Sequence, residues 1–131
     1  MRRISAMALL FLIVLLVIPT IALLRLSHLL DPRPVCGYTA FIWALTWLIY
    51  RHDKKRAESG GWRTPESTLH LVELAGGWPA AFLAQRVLRH KSTKLAYQFM
   101  FWIIVALHEA VSFDFLQGWR FSKGTIALME R

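Results

Sequence analysis

Polar side chains almost vanish from the first stretch of the chain. From Ile4 to Leu24 there is no charged residue, and at 1.5 Å per residue such a run covers the roughly 30 Å of a bilayer's hydrocarbon core. The pattern predicts a membrane-crossing helix over 4–24. Arg2 and Arg3 precede it, as in a secretory signal, but the run is long for a signal's apolar region. Two leucines also follow the small residues Thr20-Ile21-Ala22, so a retained helix is the reading. Asp31-Pro32-Arg33-Pro34 then interrupts the chain, because each proline removes a donor and restricts its predecessor. A second apolar run, 35–50, reaches about 24 Å and predicts a short span. Trp43, Trp47 and Tyr50 give its far end the aromatics expected at a headgroup boundary. A last run, 95–115, is again long enough to cross.

The segment between the second and last runs mixes both characters. It opens on Arg51-His52-Asp53-Lys54-Lys55-Arg56 and a Gly60-Gly61 turn. Thr64-Pro65-Glu66 then predicts a helix start, with Thr64 as cap, Pro65 in the first helical position and an acid in the first turn. Residues 69–88 are mostly apolar, yet Gly76-Gly77-Trp78-Pro79 breaks them near the middle. A fourth span would set the two flanking basic clusters on opposite sides of the membrane, against the positive-inside bias. A hairpin reversing at the glycines keeps both on one side, and each half is too short to cross alone. The fold class expected is an all-α membrane protein: three transmembrane helices plus a re-entrant or interfacial helical hairpin, in one domain over 1–131.

Composition fits this picture. The 131 residues are 56% hydrophobic and 18% charged, against about 45–50% and 25% in soluble domains. That excludes a disordered chain, a disulfide scaffold and a secreted soluble enzyme. A net charge of +8 would raise nucleic acid as a partner, but its placement argues otherwise. Nine basic residues fall within 51–94: Arg51, Lys54, Lys55, Arg56, Arg63, Arg86, Arg89, Lys91 and Lys94. With Arg2 and Arg3 they face Arg25, Arg33, Arg120, Lys123 and Arg131 on the other side. The expected orientation has the N-terminus and the 51–94 loop inside and the C-terminus outside. Topology accounts for the charge, and nucleic acid drops out as a leading partner. Cys36 stands alone, so no intramolecular disulfide forms, and it reads as a small packed hydrophobe.

The central segment carries a resemblance. Asp53-Lys54, Arg56-Ala57, Arg63-x-Pro65-Glu66, Leu69-His70, Gly76-Gly77 and Arg89-His90-Lys91 with Lys94 occur in order and at short spacing. They resemble the family known as domain of unknown function 1294, found in small bacterial membrane proteins. Ala80 stands where that pattern has a glycine, and Glu73 where it has an apolar residue. The resemblance implies a bacterial inner-membrane protein and supplies no activity.

Several constellations could carry chemistry. Glu66, His70 and Glu73, at i, i+4 and i+7, share one helix face, and a polar stripe in a membrane must face protein or water. It is a proton-relay or metal candidate, with His52, His90 and His108 as further donors. The preferred reading is that Glu66 and His70 pair with nearby arginines, and no metal or cofactor is expected. Arg86, Arg89 and His90, at i, i+3 and i+4, continue into Lys91 and Lys94. With Arg63 they form a candidate phosphate or headgroup site. Gly76, Gly77, Ala80 and Ala84 form a small-residue surface for close helix packing, within the chain or between copies. His108-Glu109 is an ionisable pair inside the last span. No Walker, Rossmann, HExxH or GxSxG pattern occurs. The leading expectation is an interaction or accessory protein, with a partner membrane protein, a second copy or anionic lipid as its ligand. The rival is a membrane enzyme acting on a phosphate-bearing lipid or nucleotide, using Arg63, Arg86, Arg89 and Lys91 with Glu66 or His70. A proton or ion path through His108 and Glu109 is the third.

Overall fold

The computed structural model describes residues 3–131; Arg2, counted among the orienting charges, lies outside them. Those residues are all-helical: α1 (Ala6–Leu29), α2 (Pro32–Ser59), α3 (Glu66–Val72), a π-type turn (Glu73–Gly77), α4 (Trp78–Val87), α5 (Leu95–Leu116) and α6 (Arg120–Met129). Ser5 caps α1 by accepting the Ala8 N–H at 3.2 Å. Asp31 caps α2 by accepting from Arg33 N at 2.9 Å, and Gly60, at φ 69°, ends it in a left-handed turn that suits glycine.

Two helices, α1 and α5, are long and apolar enough to cross a membrane. They run parallel. Phe11 packs on Trp102 with ring centroids 5.8 Å apart, and fourteen residues further on in each helix Arg25 Nη1 donates to the Leu116 carbonyl at 2.6 Å. Their outward faces stay apolar: Leu10, Ile13 and Val14 on α1 and Phe99, Ile103 and Leu107 on α5 are all exposed.

The predicted span over 35–50 does not stand out as α1 and α5 do. Residues 35–50 do form helix, but α2 continues through the basic run to Ser59, so Arg51–Arg56 are helical rather than loop. Its charge-free stretch is only 34–50, about 26 Å of helix and at the lower limit of what a span uses. Its aromatics do not form a boundary ring either. Tyr50 is fully buried, and Trp47 packs against the core. Cys36, expected to be packed, is exposed on the first turns of α2. Helix α1 also runs past Leu24 to Leu29.

The hairpin is present. A straight helix over 69–88 would separate its ends by roughly 30 Å, whereas Glu66 Oε1 lies 2.7 Å from Lys91 Nζ. The reversal falls at Gly76, whose φ of 111° L side chains rarely adopt. Both arms seat on α2. At Gly77 a Cβ would stand 2.0 Å from Thr46 Oγ1 and 2.7 Å from the Val72 carbonyl, so only glycine allows this approach. Ala80 and Ala84 are buried beside it, and α4 packs chiefly on α2. The small-residue surface is therefore used inside the chain. At the tip, Tyr38 Oη donates to the Ala75 carbonyl and Trp43 Nε1 to the Gly76 carbonyl at 3.2 Å. From Trp43 to Asp53, at the hairpin's open end, is ten residues of α2, or about 15 Å. That length is about half the roughly 30 Å of a bilayer's hydrocarbon core.

Helix α6 has no counterpart in the hydropathy pattern. It is short, exposed and amphipathic, and Asp114 anchors its start by accepting from Phe121 N (2.9 Å), Ser122 N (3.2 Å) and the Ser122 hydroxyl.

Candidate functional site

The arms of the hairpin open at the α2 level of Asp53, and two polar clusters form there, one at the mouth and one beneath it. The mouth depends on how α4 ends. Val87 is its last residue, Lys54 Nζ donates to the Leu88 carbonyl, and Arg89 and Lys91 adopt positive φ of 50° and 63°. These left-handed residues, uncommon for side chains other than glycine or asparagine, turn His90 inward, and it is buried.

Asp53, fully buried, collects the cations. Its Oδ2 accepts from His90 Nε2 and from Arg63 Nη2 at 3.3 Å. Lys91 Nζ stands 4.0 Å away. Oδ1 accepts the Thr64 N–H at 3.0 Å. Burial raises the Asp53 pKa, but the bonds from His90 and Arg63 outweigh it and hold the carboxyl below its ordinary value. Glu66 accepts from Lys91 at 2.7 Å and Lys94 at 2.6 Å, and these bonds bring its pKa down to about 2. Arg63, Glu66, His90, Lys91 and Lys94 line a cleft of about 290 Å³.

The second cluster lies one helical turn deeper along α2. Glu73, fully buried, accepts from Tyr50 Oη and from Tyr97 Oη (2.7 Å) on one oxygen. His70 Nδ1 meets the other at 2.7 Å, and the His70 ring stacks on Tyr97 at 4.2 Å between centroids. Gln85 donates to Tyr50 Oη at 3.2 Å, and Gln98 to Gln85 at 2.8 Å. All of these contacts join α2, the hairpin and α5, so the cluster locks the hairpin into the bundle.

The predicted groupings divide accordingly. Glu66, His70 and Glu73 do not act as one stripe: Glu66 belongs to the mouth, and the other two to the buried cluster. The pairing partners of Glu66 are lysines rather than arginines, and that of His70 is Glu73. Arg86 leaves the phosphate group. It is half-buried, stacked over the Phe82 ring at 3.4 Å to the centroid, a cation–π contact, while Arg89 is exposed. The helix ends too early to hold 86, 89 and 90 on one face. Thr64 does not cap α3; Pro65 occupies that position and Thr64 serves Asp53. His108 Nδ1 bonds its own helix at the Ile104 carbonyl, 2.8 Å away. Glu109 Oε1 is buried without a partner among the described residues. Neither joins His70 or Glu73, so no continuous path forms. His52 is exposed and accepts from Arg56 at 3.4 Å. Among the described residues no group of three or more His, Cys, Asp or Glu could hold a metal ion.

Sequence reasoning did not identify Tyr50, Gln85, Tyr97 and Gln98 as site residues. Their signal was an amide or phenol inside an otherwise apolar run. Asp53 carried one too, as a single acid within a basic run.

Residues 44–97 match the model of a family described as protein of unknown function (DUF1294). It is the family that the motifs of the central segment resemble. The DUF1294 segment runs from mid-α2 to the start of α5, and so contains the whole mouth and all of the buried cluster except Gln98. No curated protein and no solved structure matches the chain.

Proposed function

We propose that this is a small accessory protein of the bacterial inner membrane whose hairpin mouth binds the phosphate of an anionic lipid headgroup. In this reading α1, the 35–50 part of α2 and α5 cross the bilayer, and the hairpin re-enters from the cytoplasmic side. Apolar side chains on the outward faces of α1 and α5 support lipid as their solvent. In this reading α1 and α5 run parallel, α2 returns alongside α1, and residue 3, the mouth and the start of α5 share one end. The positive-inside bias makes that end cytoplasmic.

The observation that carries the reading is the cleft itself. Arg63, His90, Lys91 and Lys94 converge on it from both arms, against Glu66 and Asp53 alone. A planar guanidinium and two ammonium groups suit phosphate oxygens, and each basic residue near an anionic surface contributes about 1 kcal/mol. Binding is favoured over catalysis because both carboxylates are engaged with cations, and His70, the candidate base, faces Glu73 instead.

The test is native mass spectrometry of protein released from vesicles of equal phosphatidylglycerol and phosphatidylcholine. Wild type retains the anionic lipid preferentially, and Arg63→Gln with Lys94→Gln loses that preference. Equal retention of both lipids by the wild type would falsify the assignment.

A further inference from the structure

The hairpin stops halfway, and beyond its tip a cavity of about 610 Å³ remains between α1, α2 and α5. We infer that this cavity holds one acyl chain of a glycerophospholipid from the leaflet opposite the mouth, with the lipid phosphate at Arg25. The inference rests on the membrane embedding proposed above and is independent of the mouth cleft.

The chemistry of the wall selects a hydrocarbon occupant. Leu16 and Leu23 of α1, Ile42 of α2, Pro79 behind the tip, and Val111 and Phe115 of α5 line it. Its polar groups are largely spoken for. Tyr38 and Trp43 donate to the tip carbonyls, and His108 Nδ1 is bonded to Ile104. Thr20 and Ser112 add hydroxyls to a wall that is otherwise mostly apolar, which favours hydrocarbon over water, since a buried water needs two to four polar partners. The volume lies within the 300–1,000 Å³ typical of ligand pockets. Two of the three walls are the helices long and apolar enough to cross a membrane, so the medium that meets the cavity's opening is acyl chain.

The rim selects a phospholipid rather than any apolar solute. Arg25 lies between the lining residues Leu23 and Leu26 in sequence, and reaches across to the carbonyl of Leu116, next to the lining residue Phe115. Its guanidinium therefore bridges α1 and α5 at the cavity's edge. It is exposed, and among the described residues it has no acidic partner. With one N–H committed to Leu116, the rest of the fork is open to phosphate oxygens. Trp119, on the same rim, is the residue type that settles at headgroup level. A chain threaded from Arg25 inward meets the hairpin tip after half a bilayer, the depth one leaflet's acyl chain occupies.

Full-length protein reconstituted into vesicles of phosphatidylglycerol with a diazirine on one acyl chain tests this directly. Illumination should place most adducts on lining positions such as Leu23, Val111 and Ser112. Filling the space with Ser112→Phe should cut those adducts several-fold, as should Arg25→Gln, a surface change that leaves the core intact. Arg63→Gln with Lys94→Gln should leave them unchanged. Labelling spread evenly around α1 and α5, and insensitive to Ser112→Phe, overturns the inference. So does a dimer whose cavity positions are unlabelled, which would make a second copy the occupant. Protein that washes off the vesicles in alkaline carbonate overturns the membrane reading itself, a result distinct from either.

Discussion

Two carboxylates, Asp53 and Glu73, have no exposed surface at all, and they are stabilised by opposite means. Asp53 sits at the hairpin mouth and is compensated by charge, with His90, Arg63 and Lys91 around it. Glu73 sits one turn deeper and is compensated mostly by hydroxyls, with a single imidazole on its far oxygen. The difference follows from what each depth can supply. Long cationic side chains near the mouth keep part of their length in water, as Arg63 and Lys94 do, each about half exposed. Deeper in, a free cation would itself need a partner, so phenols, which carry an apolar body and one polar atom, do the work instead.

The sharpest way to break this contrast is Asp53→Leu. It strands the buried His90 imidazole and the Thr64 N–H and takes a partner from Arg63 and Lys91, and removing one partner from a buried charged network costs about 3–5 kcal/mol. Equilibrium unfolding of purified protein in mixed micelles should show that loss, and His90→Ala in the Asp53→Leu background should cost much less than in wild type. Glu73→Leu should cost less, about 1–3 kcal/mol, because Tyr50 Oη and Tyr97 Oη already contact each other and Gln85 reaches Tyr50. If Glu73→Leu proves the costlier of the two, compensation by hydroxyls is the more demanding kind and the contrast is reversed.

The smallest effect should come from Glu66→Gln. Its lysine pairs are partly exposed, and such bridges contribute up to about 1 kcal/mol. The same change frees Lys91 and Lys94, so retention of phosphatidylglycerol should rise while stability barely moves. Acid titration of stability sharpens the point. A carboxyl whose folded pKa is depressed stabilises fully above its unfolded value and loses that contribution as pH falls. For Glu66 the window runs from its ordinary 4.5 down to about 2. Asp53 acts in the same direction. Glu66→Gln should flatten part of the slope within that window and leave the slope above pH 5 unchanged.

Much of this was legible along the chain, for physical reasons that differ by element. The long apolar helices α1 and α5 and the break at Gly76-Gly77 follow from local rules, in which twenty apolar residues or a glycine pair carry the information alone. The mouth is half legible: charge groups Arg63, His90, Lys91 and Lys94, but helical spacing also adds Arg86 and Arg89, which lie outside the cleft, and sets Glu66 in a stripe with His70 and Glu73. Sequence spacing assumes a helix continues, and Leu88 ends this one. Asp53 and Tyr50 could not be placed because their partners lie far along the chain, at His90 and at Glu73 and Tyr97, and only the fold brings them together. Helix α6 escaped because its periodicity is short and its cap, Asp114, belongs to the previous helix.

The fit of Gly77 against Thr46 has a consequence for assembly during synthesis. Each arm of the hairpin, about ten residues, is too short to be retained in a bilayer by its own hydrophobicity. Its seat on α2 is complete before either arm is made. Tyr97, which closes the buried cluster from the other side, arrives last. The order of the chain is thus also an order of docking: α2 offers a slot, the hairpin fills it, and α5 latches it shut.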